Sequence, residues 1–293
     1  MSDALADSLA PICQDAEILE NRQITPVTWI MKIHSPDAAP RMRAGQFVNL
    51  HTDKGITPLL RRPMSIHKVV EHMGVATGFC VLYDVIGPGT RNLRNMTKGD
   101  RISFIGPLGN EITVPDTARR AVLIAGGVGV GPIKFVAEAL QKQGMRDITV
   151  CYGARDADHS APVKEVAPDG CRVLQVTDDG SAHRKGFVTE LVQELLDGGR
   201  LTPGDYVFTC GPVPMFKAVR DLLVPHGIDA EAATEEYMGC GFGVCFGCPL
   251  KQRQPDGSIQ YKLCCVDGCI FPLDTLVFEG DPDDEGVPSG DGQ

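Results

Sequence analysis

The chain has 293 residues, of which 43% are hydrophobic and 23% charged, enough for two or three domains with a buried core. No run of about 18 apolar residues occurs, so no helix is expected to span a membrane. A net charge of -10 excludes a nucleic-acid-binding face, which needs clustered cations, but leaves room for small phosphate ligands held by backbone N–H groups. The N-terminal stretch carries acids where a secretory leader needs basic and apolar regions, so the chain reads as cytoplasmic.

Residues 12–115 read as all-β. "TWIMKIHS", "GQFVNLHT", "FCVLYDVI" and "DRISFIGP" are short runs rich in β-branched and aromatic residues, separated by Pro, Gly and Asp. That spacing favours a closed barrel. Within it, "LLRRPMSIHKV" places Arg62, Pro63 and Ser65 in an apolar stretch. A fixed backbone with an arginine and a hydroxyl beside it suits a phosphate. "LYDVIGPGTRNL" then supplies a second turn with Gly87, Gly89 and Thr90.

Residues 116–229 alternate strand-like and helix-like runs, the pattern of a doubly wound parallel sheet. "GGVGVGP" follows the strand "AVLIA" and opens a helix at Pro132. Gly126, Gly127, Gly129 and Gly131 would let a pyrophosphate approach the backbone at the helix N-terminus. In such a sheet ligands sit outside the carboxyl ends of the strands. That places "YGARD" with Arg155, "TDDGS" with Asp178 and Asp179, and "CGPVPM" with Cys210, Gly211 and Pro212 beside the glycine turn. The sequence does not choose between NAD and NADP.

Residues 230–279 hold six of the eleven cysteines. The other five are scattered; Cys80, Cys151 and Cys210 lie in or beside apolar runs and read as small buried hydrophobes. Cys240, Cys245 and Cys248 carry the C-x4-C-x2-C spacing that opens a plant-type [2Fe–2S] loop, which a later cysteine completes. Glycines around them permit unusual backbone angles and let N–H groups reach the sulfurs. Phe242 and Phe246 are expected as an apolar cover. A four-cysteine zinc site usually pairs two C-x2-C hairpins, and only one is present. Cys264, Cys265 and Cys269 all lie within reach as fourth ligand. Residues 280–293 read as a disordered acidic tail.

Taken together, "RRPMSI", "GPLGN", "TDDGS" and "CGFGVCFGC…YKLCCVDGCIF" resemble the electron transfer subunit of type B dihydroorotate dehydrogenase, within the ferredoxin–NADP reductase superfamily. The resemblance runs from about Cys13 to Phe278. It implies an FAD-binding barrel, a nucleotide domain and a small cluster domain. It also implies electron transfer from an FMN-containing dihydroorotate dehydrogenase catalytic subunit to NAD+ in pyrimidine biosynthesis, usually in a heterotetramer. Arg62, Pro63, Met64 and Ser65 would meet FAD, as would Leu82, Tyr83 and Asp84, with Gly89 and Thr90 at its pyrophosphate. The family's ending, Y-K-x-V-C-x-D-G-P, makes Cys265 the fourth ligand beside Cys240, Cys245 and Cys248. Cys269 stands where the family usually has proline, and "GPGT" replaces a more usual basic residue.

No catalytic constellation is visible, and none is needed if cofactors carry the chemistry; His67 and His183 read as solvated or structural. Two other readings share parts of this pattern. One is the flavin and iron–sulfur subunit of an NADH-dependent ferredoxin:NADP reductase or a sulfur-reducing hydrogenase. The other is a redox-sensing or zinc-stabilised binding protein that has lost flavin.

Overall fold

Short runs rich in β-branched and aromatic residues, broken by Pro, Gly and Asp turns, close the N-terminal segment into an antiparallel barrel. The computed structural model describes residues 10–52, 58–282 and 284; residues 1–9, part of the stretch read for a leader, lie outside it. Six strands form the barrel: β1 (Ile12–Gln23), β2 (Thr28–His34), β3 (Phe47–Leu50), β4 (Arg62–His72), β5 (Val75–Asp84) and β6 (Arg101–Leu108). Their order is β1-β2-β5-β4-β3-β6, with β6 pairing back onto β1. Ile18, Ile33, Leu50, Ile66, Phe79, Val81 and Phe104 are all fully buried in it. Phe79 meets Phe104 edge-to-face at 5.2 Å, the arrangement that ring quadrupoles favour.

One element departs from the all-β expectation. Residues Pro88–Asn95 form a helix, α1, where "GPGTRNL" reads as a turn. Pro88 presets the first helical φ, and the Thr90 hydroxyl accepts from the N–H groups of Ile86 and Gly87 at 3.0 and 3.1 Å. Asn21 holds the other end, donating to the carbonyls of Leu93 and Met96, both at 2.8 Å.

The next segment gives β7 (Arg120–Gly126), α2 (Ile133–Lys142), β8 (Asp147–Ala154), α3 (Val163–Val166), β9 (Arg172–Thr177), β10 (Arg184–Lys185), α4 (Val188–Asp197), β11 (Tyr206–Cys210), α5 (Val213–Leu223) and β12 (Glu231–Ala233). Pro132 caps α2 rather than opening it, and a 3-10 turn, Gly127–Val130, precedes it. The cysteine segment adds β13 (Pro249–Arg253), β14 (Ile259–Leu263), β15 (Ile270–Pro272) and β16 (Leu276–Val277). The large sheet runs β10-β9-β8-β7-β11-β12-β15 and is parallel except for β15. A second sheet runs β14-β13-β16. The middle of β7, Ala121–Ala125, is buried throughout, as a strand covered on both faces must be.

Strand β15 shows how the parts join. It comes from the cysteine segment yet completes the edge of the nucleotide-type sheet, beyond a boundary drawn at 229/230. The barrel's exit also grips it: Asn110 donates to the Ile270 carbonyl and accepts from the Ile270 N–H, both at 2.9 Å. Among the described residues no helix is long and apolar enough to cross a membrane.

Of the stretch read as a disordered tail, residues 280–282 and 284 are described, and they are tied down. Asp281 accepts from Arg220 at 2.7 and 3.1 Å, and Arg220 also lies 5.6 Å over the Phe278 ring. The Arg220 hydrogen bonds outweigh burial and hold the Asp281 carboxyl down to about 2. A depressed carboxylate stabilises the fold above its unfolded value of about 3.9 and loses that contribution as pH falls through its folded value. Asp281→Asn is therefore expected to lower the thermal midpoint by a few degrees at pH 7, about 1 kcal/mol. The gap from the parent should close between about pH 4 and pH 2. Melting curves across that range check this; a gap independent of pH would refute the assignment.

Candidate functional site

The barrel side of the site is built on β4. Its first residues, Arg62, Pro63, Met64 and Ser65, pair with Leu50, Asn49, Val48 and Phe47 of β3. The Arg62 guanidinium donates to the Leu60 carbonyl at 2.7 Å and rests on the first turn of α1. A Cβ at Gly89 would lie 2.8 Å from Arg62 Nε, so only glycine admits this approach. A cation and the N–H groups of a helix start are thus brought to one place, which suits a phosphate. Thr90 shapes that turn through its hydroxyl. Leu82 and Tyr83 are buried on β5. The Tyr83 ring points into the barrel, where its hydroxyl donates to Asn21 Oδ1 at 2.9 Å, and Asp84 accepts from the Thr28 hydroxyl at 2.6 Å. Those two side chains are thus engaged by Asn21 and Thr28.

The carboxyl ends of β7 and β11 form the neighbouring crevice, where the strand order reverses direction. Two turns pack tightly there. A Cβ at Gly126 would lie 2.7 Å from Met215 Sδ, one at Gly211 2.4 Å from Met215 Cε, and one at Gly129 2.2 Å from the Cys210 carbonyl oxygen. These glycines are required by the packing of "GGVGVGP" against "CGPVPM", whether or not a ligand is bound. Gly127 differs: its φ is +56° and a Cβ there would meet nothing within 4 Å. It opens onto the crevice. Gly131 closes the turn against the barrel, with a Cβ there 4.0 Å from Ser65 Cβ and 3.9 Å from the Leu82 carbonyl oxygen. Burial pushes the Cys210 thiol up to about 12, so it sits there as a neutral group.

The other turns at this end are partly self-satisfied. Asp179 accepts from the Ser181 N–H and hydroxyl at 2.9 and 2.7 Å, an ordinary Asx turn. Arg155 is exposed and paired with Asp156 at 3.1 Å, and His183 bonds Ser160 at 3.1 Å. His67 is fully buried, so it is not a solvated residue.

The cysteine loop gathers the expected thiols in two pairs. Cys248 Sγ and Cys265 Sγ are 3.3 Å apart, and Cys240 lies beside Cys245. Burial pushes the Cys240 thiol up, but the N–H groups of Phe242, Cys245 and Val244 and the Cys245 thiol more than reverse this, bringing it down to about 6. Burial and the adjacent Cys248 push Cys265 up to about 12. Glycine makes the wrap feasible, since a Cβ at Gly239 or Gly247 would lie 3.1 or 3.4 Å from Cys245 Sγ. Among the described residues no three Cys, His, Asp or Glu side chains gather as a site for one metal ion. A two-iron cluster takes two thiolates per iron, so two thiol pairs suit it better than they suit one tetrahedral zinc.

The neighbouring cysteines point elsewhere. Cys264 is fully buried with its sulfur 3.5 Å from the Thr234 hydroxyl, and Cys269 donates to the Gly45 carbonyl of the barrel at 3.4 Å. The two adjacent cysteines diverge in a turn at the end of β14 rather than along an extended strand. Phe242 and Phe246 do not cover the thiols from water as expected; with Val244 they are exposed on the outside of the loop.

Sequence reasoning missed Asn49. Fully buried on β3, it donates from Nδ2 to the Cys240 carbonyl at 3.2 Å. A Cβ at Gly241 would lie 2.6 Å from the same nitrogen. The only signal was a polar residue inside the apolar run "FVNL".

This geometry separates two kinds of glycine variant. Gly129→Val is expected to lower the thermal midpoint, because its side chain meets the Cys210 backbone. Gly127→Asn keeps a left-handed residue that its side chain tolerates, whereas Gly127→Asp adds a charge of the same shape. If a pyrophosphate docks over Gly127, the aspartate variant should raise the KM for the dinucleotide about tenfold above the asparagine variant, with equal flavin content. Steady-state kinetics on the two proteins decide it; equal KM values would place the pyrophosphate elsewhere.

Comparison with known proteins agrees with these features. Residues 235–277 match the model of the iron–sulfur cluster binding domain of dihydroorotate dehydrogenase B, and residues 123–221 match the oxidoreductase NAD-binding domain. The dihydroorotate dehydrogenase B (NAD(+)) electron transfer subunit of Desulforamulus reducens is 36% identical over 90% of this chain and 98% of its own. That of Fusobacterium nucleatum is 33% identical over 91% and 99%. Among solved structures, the NADH-dependent reduced ferredoxin-NADP oxidoreductase, described for flavin-based electron bifurcation, superposes with a TM-score of 0.74 at 29% identity, covering 89% of each chain. Phthalate dioxygenase reductase shares the fold, with a TM-score of 0.57 at 18% identity over 86% of this chain and 76% of that one. The chain belongs to the family of electron transfer subunits of dihydroorotate dehydrogenase B (NAD(+)).

Proposed function

We propose that this chain passes electrons from an FMN-containing dihydroorotate dehydrogenase catalytic subunit, by way of a [2Fe–2S] cluster and FAD, to NAD+ in pyrimidine biosynthesis. The two thiol pairs, Cys240 with Cys245 and Cys248 with Cys265, within a segment matched to the family's cluster domain, carry this reading. Cys240, Cys245, Cys248 and Cys265 are the proposed ligands. Arg62 and the start of α1 would hold the FAD phosphates, and Pro63, Met64, Ser65 and the backbone of Leu82–Asp84 would line its ring. Gly126–Gly131 and Cys210–Pro212 would take the nicotinamide dinucleotide. Bound flavin and cluster supply the redox chemistry. The chain's own residues supply position: Asn49 ties the cluster loop to the flavin strand's neighbour, and the Cys240 carbonyl is its anchor.

Phe242, Val244, Phe246 and Val266, in and after the cysteine loop, are exposed apolar side chains. Such a patch suits a partner protein, and this reading gives it to the catalytic subunit, in a cytoplasmic complex with two copies of each chain. The solved neighbour at 29% identity favours a second reading, as the flavin subunit of an NADH-dependent ferredoxin:NADP reductase. Co-purification under anaerobic conditions separates the two. The first expects dihydroorotate to reduce NAD+ only when an FMN-containing partner is present. Reduction of NADP+ by reduced ferredoxin, with no response to dihydroorotate, would establish the second.

Two sets of variants test the cofactor assignments. Cys265→Ser should lose iron and the EPR signal of the reduced cluster, because a thiolate ligand is gone. Cys264→Ser and Cys269→Ser should keep both at a modest cost in stability, as packed thiols. A cluster that survives at Cys265 but vanishes with either neighbour would overturn the ligand set. Arg62→Ala should release flavin while iron–sulfur absorption remains; full flavin occupancy would refute the barrel site.

A further inference from the structure

We propose that His67 is a positioning residue that fixes the nucleotide-binding turn against the flavin strand and so sets how the nicotinamide meets the flavin. The inference rests on the functional reading above. It starts from a fully buried imidazole two residues beyond Ser65 on β4. Its Nδ1 lies 2.8 Å from the Gly131 carbonyl oxygen. A carbonyl only accepts, so the ring must donate there. One strand of the barrel therefore carries both the proposed flavin contacts and the group that holds the last glycine of the nucleotide turn.

The other side of the ring faces a carboxylate. Nε2 lies 3.6 Å from Glu165 Oε2 of α3, too long for a hydrogen bond. Glu165 is itself buried and accepts from Arg22 of β1 at 2.8 Å. Lys134 of α2 stands 4.0 Å from the same carboxylate. The His67 ring, working against burial and joined by Arg22 and Lys134, holds the Glu165 carboxyl far below the usual carboxylate range. The ring thus sits between a carbonyl of the turn and a carboxylate held in its charged form by its cationic neighbours. Both of those partners belong to the nucleotide half, while His67 and Arg22 belong to the barrel.

Such a junction has a kinetic consequence. The turn that would bind pyrophosphate lies within van der Waals reach of Ser65 and Leu82, as the space around Gly131 shows. Moving that turn shifts the dinucleotide relative to the flavin, and a misplacement of about 1 Å can cost up to about a hundredfold in rate. A residue that only fills space would be replaceable by any side chain of similar volume. A residue that positions the turn must keep a donor where Nδ1 stands.

Asparagine and glutamine distinguish these cases, because the amide nitrogen of asparagine falls near Nδ1 and that of glutamine near Nε2. His67→Leu and His67→Gln are expected to raise the KM for NADH about tenfold and slow flavin reduction by NADH in rapid mixing. His67→Asn should restore both toward the parent values. FAD content, iron content and the cluster EPR signal should be unchanged in all three. Glu165→Gln, which leaves the ring in place, should shift KM in the same direction by less. In complex with the catalytic subunit, dihydroorotate-driven dye reduction should be unaffected, since electrons then enter from the cluster side. Parent-like kinetics in His67→Leu, or equal losses in His67→Asn and His67→Leu, would overturn the proposal. So would a matching fall in dihydroorotate-driven dye reduction. A parent protein that binds no FAD would instead remove the functional reading itself.

Discussion

Asn110 exchanges two hydrogen bonds with the main chain of Ile270, and that clamp joins the barrel, the large sheet and the cysteine segment at one point. It lies just after β6, where the barrel hands over to the sheet, and it grips the strand that the cysteine segment lends to that sheet. Its own N–H donates to the Gly268 carbonyl at 2.9 Å. One short polar side chain therefore locks barrel, sheet and cysteine loop in a fixed relation. Electron transfer between bound cofactors needs such a relation, because the protein's part in that chemistry is to hold the cofactors in place.

Much of the architecture was legible because it is written in local pattern. Short β-branched and aromatic runs between turn residues mark the barrel strands, and the unbroken apolar run of β7 marks a strand covered on both faces. Helix α1 was hidden because Gly87, Pro88 and Gly89 are turn residues in isolation. They become a helix start only when Arg62 packs on them and Asn21 closes the far end. Both partners are distant in sequence, so no local signal could announce them.

The candidate site was legible in its spacing and less so in its directions. The thiol spacing announced a cluster loop, but the diverging directions of Cys264 and Cys265 depend on how β14 ends. The glycines of "GGVGVGP" look equivalent in sequence, yet Gly129 answers to the Cys210 backbone and Gly127 to open space. Tyr83 turns inward because Asn21 offers an acceptor inside the barrel. Phe242 and Phe246 face outward, where an apolar residue gains nothing unless another surface arrives. Asn49 went unread, and His67 was read only as solvated or structural, for one reason: a buried polar residue has meaning only through its partners, and here these are Cys240 and Gly131, remote in the chain.

Strand β15 runs antiparallel beside β12 at the end of the large sheet. An edge strand left bare offers its backbone to any passing chain. The cysteine segment therefore also acts as a stopper for the sheet, and it is not a module that can be cut away. Trimming the chain before it would remove β12 as well, leave β11 uncovered and invite self-association, however sound the remaining core. Evolution or engineering that exchanges the cluster for another redox centre must carry this stopper along.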